Sequence, residues 1–66
     1  MMYMATSKCD IPTTVFIPKG YSVRVITKDW NSWNWTDVKE ALERDLHVEI
    51  PYSFLSTAHW DVERIS

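Results

Sequence analysis

The chain has one glycine, Gly20, and one cysteine, Cys9. A lone glycine excludes the glycine-rich loops that bring backbone N–H groups around a phosphate. A lone cysteine excludes an intrachain disulfide. His47 and His59 are the two histidines, and with Cys9 they give no zinc-ligand spacing. No apolar run approaches the roughly 20 residues that a membrane helix needs. Neither a metal nor a cofactor is therefore implied, and no membrane association is expected.

Charge of one sign is scarce as well. Seven basic residues, from Lys8 to Arg64, are spread along the chain against nine acidic ones, giving a net charge of −2. Duplex-binding domains cluster their cations to replace counterions on the phosphates, and no such cluster exists here. Nor are the carboxylates gathered densely enough to mimic a nucleic acid. Residues 1–10 lack a basic segment followed by an apolar one, so no export signal is read there. With an unpaired cysteine, this gives a cytoplasmic location as the expectation, and Asn34-Trp35-Thr36 is then a chance match to the glycosylation sequon.

What the chain does have is tryptophan. Trp30, Trp33 and Trp35 fall within six residues, and Trp60 follows near the C-terminus. A domain of this size buries only about 60% of the surface its unfolded chain exposes. Without disulfide or metal, its stability must come from dense packing or self-association. Four indoles are hard to bury completely in so small a core, so part of that aromatic surface is expected to meet a partner.

The pattern predicts one α+β domain over 13–66, preceded by a flexible arm at 1–12 that shows no clean periodicity. Residues 13–17 are β-branched and aromatic, and 21–27 alternate, with Ile26 the one exception. Pro18 at the second turn position and Gly20 at the fourth predict a type I turn with a left-handed glycine bulge, and the two strands a hairpin. Asn34 suits a helix N-cap, with Asp37 reaching back in a capping box and Trp33 and Val38 as the two ends of a hydrophobic staple. Trp35, Val38, Ala41, Leu42 and Leu46 then make one apolar stripe to the end of the helix. Residues 47–50 read as an edge strand or connector, and 58–65 as a final strand with Trp60 inward and Asp61 and Glu63 outward. The sum is a small two-layer domain, an antiparallel sheet of three to four strands with one helix on one face, in the order β-β-α-β.

No catalytic constellation emerges. Cys9 lies in the expected arm, away from either histidine in sequence, and Asp61 and Glu63 read as the wet side of a strand rather than an acid–base pair. The reading is a non-enzymatic protein-binding module, anchored by Trp30, Trp33 and Tyr52, with Asp29, Asp61 and Glu63 adding charge complementarity. In size and style the chain is similar to short accessory proteins of phages and mobile elements, which implies an inhibitor that sterically blocks a host protein complex. The alternatives are a homo-oligomeric structural subunit and a single-strand nucleic-acid binder that stacks bases on Trp30 and Trp33 beside Arg24 and Lys28.

Overall fold

In the first strand, β1 (Met2–Ser7), Tyr3, Ala5 and Ser7 are buried, while Met2, Met4 and Thr6 are half-buried on the opposite face. A computed structural model describes residues 2–27 and 32–65 of the chain. Four further strands follow: β2 (Ile11–Pro12), β3 (Phe16–Ile17), β4 (Ser22–Ile26) and β5 (Trp60–Arg64). One helix, α1 (Trp35–Leu46), and a 3₁₀ turn (Tyr52–Phe54) lie between β4 and β5. The domain is α+β, with a three-stranded antiparallel sheet ordered β4-β1-β5 and a separate two-stranded ribbon of β2 and β3.

β1 is the central strand. It pairs with β4 from Met2–Ile26 to Thr6–Ser22, and with β5 from Tyr3–Arg64 to Ser7–Trp60. The segment expected as a flexible arm is thus the middle of the sheet, and the expected order β-β-α-β omitted it. The cause is visible in the residue types. Small or polar Ala5 and Ser7 face the core, whereas apolar Met2 and Met4 face outward, so the usual contrast between the two faces of a strand is inverted.

The expected hairpin of 13–17 with 21–27 does not form either. β3 pairs back onto β2, with Ile11 opposite Ile17 and Pro12 opposite Phe16. A turn does form here, but shifted by one residue from the expected type I turn: Pro18 takes its first position and Gly20 its third. Tyr21 N donates to Pro18 O at 3.2 Å, and Gly20 has φ +88°, the positive φ that the third position of a type II turn requires. This turn carries the chain from the ribbon into the sheet instead of closing a hairpin. Ser7 occupies its mouth: its Oγ donates to Pro18 O at 2.6 Å and accepts from Tyr21 N at 2.9 Å. Ser7 N also donates to Tyr21 O, and Gly20 N to Ser7 O. The flank of β4 that β3 was expected to occupy is therefore taken by β1.

The helix follows its sequence signals closely. Asn34 Oδ1 accepts from Asp37 N at 2.9 Å, and Asp37 Oδ2 accepts from Asn34 N at 3.1 Å, completing the capping box. Val38, Ala41 and Leu42 are buried; Trp35 and Leu46 are partly buried against the same core. The helix ends at His47, which takes the left-handed conformation (φ 57°) and donates its N–H to Glu43 O. Residues 47–50 form a connector rather than a strand. α1 lies over β4, and Ile50, Leu55 and Trp60 fill the rest of the core on the same side of the sheet. The Trp60 indole is 1% exposed, and its Nε1 donates to Phe54 O at 3.0 Å.

Two stability outcomes follow. Gly20→Val, which forces a β-branched residue to positive φ, is expected to cost about 1–3 kcal/mol. Trp60→Ala is expected to cost about 3–5 kcal/mol, a large share of what a domain of this length has. Urea melts followed by circular dichroism check both; a wild-type midpoint for Gly20→Val would remove the turn, and one for Trp60→Ala would remove the indole from the core.

Candidate functional site

The sheet has two faces, and the described residues supply one α-helix. α1 and the segment from Ile50 to Leu55 cover the face that carries Tyr3, Ala5, Val23, Val25 and Trp60. The strand register assigns the other face, because directly opposed residues on neighbouring strands share a side. It consists of three rows across β4, β1 and β5. Ser22, Thr6 and Asp61 make the first; Arg24, Met4 and Glu63 the second; Ile26 and Met2 begin the third. Ile65, just beyond β5, completes the third row, and its N–H donates to Met2 O. The Thr6 and Ser22 hydroxyls lie 3.1 Å apart, as residues on one side must.

This outer face grades from polar to apolar along the strands. Ile26 is 56% and Ile65 46% exposed, flanking Met2, with Met4 in the next row. Arg24 and Glu63 stand on either side of Met4 and are exposed. Met4 stands between them, and among the described residues neither forms an ion pair. A contiguous apolar strip with opposite charges on its two edges is the main surface feature of the sheet.

A second feature lies at the start of α1. The Trp33 and Trp35 rings meet edge to face with centroids 4.7 Å apart. Tyr52, 55% exposed, places its hydroxyl 3.2 Å from Thr36 Oγ1, and the Lys39 ammonium lies 5.5 Å above its ring. Trp33 is half-buried, packed against the core, with one side left to solvent.

The predicted site residues thus separate. Trp33 and Tyr52 come together at the N-terminal end of the helix. Asp61 and Glu63 lie on the outer face of the sheet, across the core from the helix. Trp30, Asp29 and Lys28 fall outside the described residues. Of the proposed base-stacking platform, Arg24 is on the outer face and Trp33 is beside the helix, so these two are not neighbours. The residues that the sequence reading missed are Met2, Met4, Ile26 and Ile65. Ile26 had given the one signal, as the apolar residue on the polar side of an alternating strand.

The remaining polar groups are engaged in holding the chain. Lys39 Nζ donates to Glu43 and, at 3.0 Å, to Ile50 O, while Glu43 Oε2 accepts from Ile50 N at 3.1 Å. Both backbone groups of Ile50 are thereby fixed to the helix. An open depression of about 490 Å³ beside this clamp is lined by Lys39, Glu43, His47, Val48 and Glu49. Ser56 Oγ and His59 Nδ1 lie 3.0 Å apart, and the Ser56 carbonyl accepts from the N–H groups of His59 and Trp60. That pair fastens the turn entering β5. Cys9 is half-buried against the core. Among the described residues there is no group of three or more metal-ligating side chains, and no helix long and apolar enough to cross a membrane.

Comparison with family models, with curated proteins and with solved structures gives no match.

The clamp has a pH dependence. The hydrogen bond from Lys39, then that from Ile50 N, hold the Glu43 carboxyl below the usual carboxylate range; the hydrogen bond to Glu43 raises Lys39. A depressed carboxylate contributes stability that is present above its unfolded pKa and lost as pH falls through the folded value. The raised lysine contributes below its unfolded pKa and loses that contribution as pH rises through its folded value. The clamp is thus intact between the two. Glu43→Gln is expected to lower the melting temperature at about pH 7 and to flatten its decline between about pH 5 and pH 2. An acid limb as steep as that of the wild type would remove Glu43 from the account.

Proposed function

We propose that the chain is a non-enzymatic protein-binding module whose contact surface is the outer face of its sheet. The observation that carries this reading is the strip of Met2, Met4, Ile26 and Ile65, left uncovered by a fold whose one helix lies on the other side. Contiguous exposed apolar surface on a small domain marks an interaction site, whereas single exposed apolar residues do not. Methionine suits such a surface, because its unbranched, polarisable side chain adapts to the shape it meets. Arg24, Asp61 and Glu63 at the rim favour a partner of complementary charge and act on encounter rate and specificity.

A sheet face of this kind acts by occupancy. It covers a surface of its partner: a host protein if the chain is a phage-type inhibitor, a second copy if it is a homo-oligomeric subunit. The aromatic end at Trp33 and Tyr52 is the second candidate surface, and it has less support: Trp33 is packed on Trp35, and the Tyr52 hydroxyl and ring are met by Thr36 and Lys39. Single-strand nucleic-acid binding has less support still. The described outer face carries no aromatic ring for a base to stack on, and its acidic edge opposes phosphate.

Gel filtration of a lysate from the cells that make the protein, crosslinked before lysis so that weak complexes are retained, separates these surfaces. The wild-type chain is expected to elute in an assembly larger than its 7.8 kDa monomer. Met4→Lys and Ile26→Lys, each keeping a native circular dichroism spectrum, are expected to elute as the monomer. Tyr52→Ala is expected to stay in the assembly. If Tyr52→Ala releases the chain and the two sheet variants do not, the contact surface is the aromatic end.

A further inference from the structure

We infer that the occupant of the outer face is a second copy of the chain, packed sheet against sheet about a two-fold axis that runs along β1. This rests on the reading of that face as a contact surface, and adds to it the identity and geometry of the partner.

The argument is one of self-complementarity. In a two-fold dimer the same patch serves both partners, so it must match its own rotated copy. Two sheets can face each other only if the axis lies in the plane between them. Two simple choices exist. An axis across the strands lays β4 on β4 and β5 on β5, which sets Arg24 against Arg24 and Glu63 against Glu63. An axis along β1 lays β4 of one copy on β5 of the other. The row Arg24, Met4, Glu63 then meets Glu63, Met4, Arg24 of the second copy. Each arginine faces a carboxylate, twice per dimer by symmetry. Met4 meets Met4 on the axis. In the next row Ile26 faces Ile65, and Met2 faces Met2.

Every row therefore finds a like-polarity or opposite-charge counterpart under one rotation and not under the other. Arg24 and Glu63, which form no ion pair among the described residues of one chain, become ion pairs between chains. Aligned packing of two twisted sheets at about 30° preserves these row-to-row contacts at the centre. The face of three short strands gives a footprint of roughly 250 Å², small beside the ~800 Å² that each partner buries in a standard interface. The dimer is accordingly weak and in exchange with monomer, and salt weakens it further by screening the edge pairs.

The test is sedimentation equilibrium of the purified chain from about 10 µM to 1 mM, the range suited to a weak interface. The wild type is expected to move from monomer to dimer across that range. Arg24→Glu alone and Glu63→Arg alone each set like charges face to face at two places, and each is expected to weaken the dimer at least about tenfold. The double reversal, Arg24→Glu with Glu63→Arg, restores the pairing and is expected to return the affinity to within about threefold of the wild type. Both positions are exposed strand-face residues, so a native circular dichroism spectrum is expected in all three variants. A wild type that stays monomeric to the highest concentration overturns the inference. So does a dimer indifferent to the single reversals or not restored by the double one. A monomeric wild type, alongside a lysate assembly lost on Met4→Lys, would leave the sheet face as the contact surface and make its partner a different protein.

Discussion

Everything else in the molecule is arranged around the backbone ladders of β1. A three-stranded sheet has one strand hydrogen-bonded on both sides, and here it is Met2–Ser7. Its last residue, Ser7, uses backbone and hydroxyl together to close the turn that starts β4, while Trp60, opposite Ser7, starts β5. β4 and β5 are both antiparallel to β1, so they are parallel to each other. Joining two parallel strands requires a crossover, and α1 lies in that connection. The helix thus covers one face of the sheet as a consequence of the central strand's position.

That arrangement decides where function can reside. Among the described residues, one layer covers one face of the sheet and no element covers the other. On the covered side, hydrogen bonding is complete: no buried side-chain nitrogen or oxygen among the described residues lacks a partner. Ser7 is spent on a turn and Asp37 on a helix cap. The Lys39–Glu43–Ile50 clamp ties the returning chain to the helix. These groups stabilise the fold, and the open apolar strip of the sheet is the surface proposed to meet another molecule.

How much of this the sequence disclosed depended on the range of each interaction. The helix was legible from its N-cap and stripe, because Asn34, Asp37 and the apolar residues act within a few positions of one another; its left-handed end at His47 gave no such signal. Trp60 was legible as core because its strand alternates in the ordinary sense. Gly20 disclosed a positive φ, but a turn reports its own backbone and not which strands its arms will join. The arms went to different sheets, and the hairpin expectation failed there. β1 was hidden for another reason: with Ala5 and Ser7 inward and Met2 and Met4 outward, its pattern is the reverse of a half-buried strand. The same inversion hid the site. Its methionines lie in a stretch whose pattern reads as an arm, and the indoles Trp35 and Trp60 belong to the packing of the domain, as their helix and strand positions imply. Asp61 and Glu63 were read correctly as outward-facing, but their neighbours across the sheet were not foreseen.

The central claim is that residues 2–7 form the middle of the sheet, since both the fold and the outer face depend on it. Residue-resolved amide hydrogen exchange tests this directly, because a strand bonded on both sides opens only with the whole domain. The account predicts that the amides of Tyr3, Met4, Ala5, Thr6 and Ser7 exchange as slowly as those of Val38, Ala41 and Leu42 in the helix. Exchange at those five positions as fast as in an unstructured peptide would contradict it, and the outer face would lose the strand that runs through it.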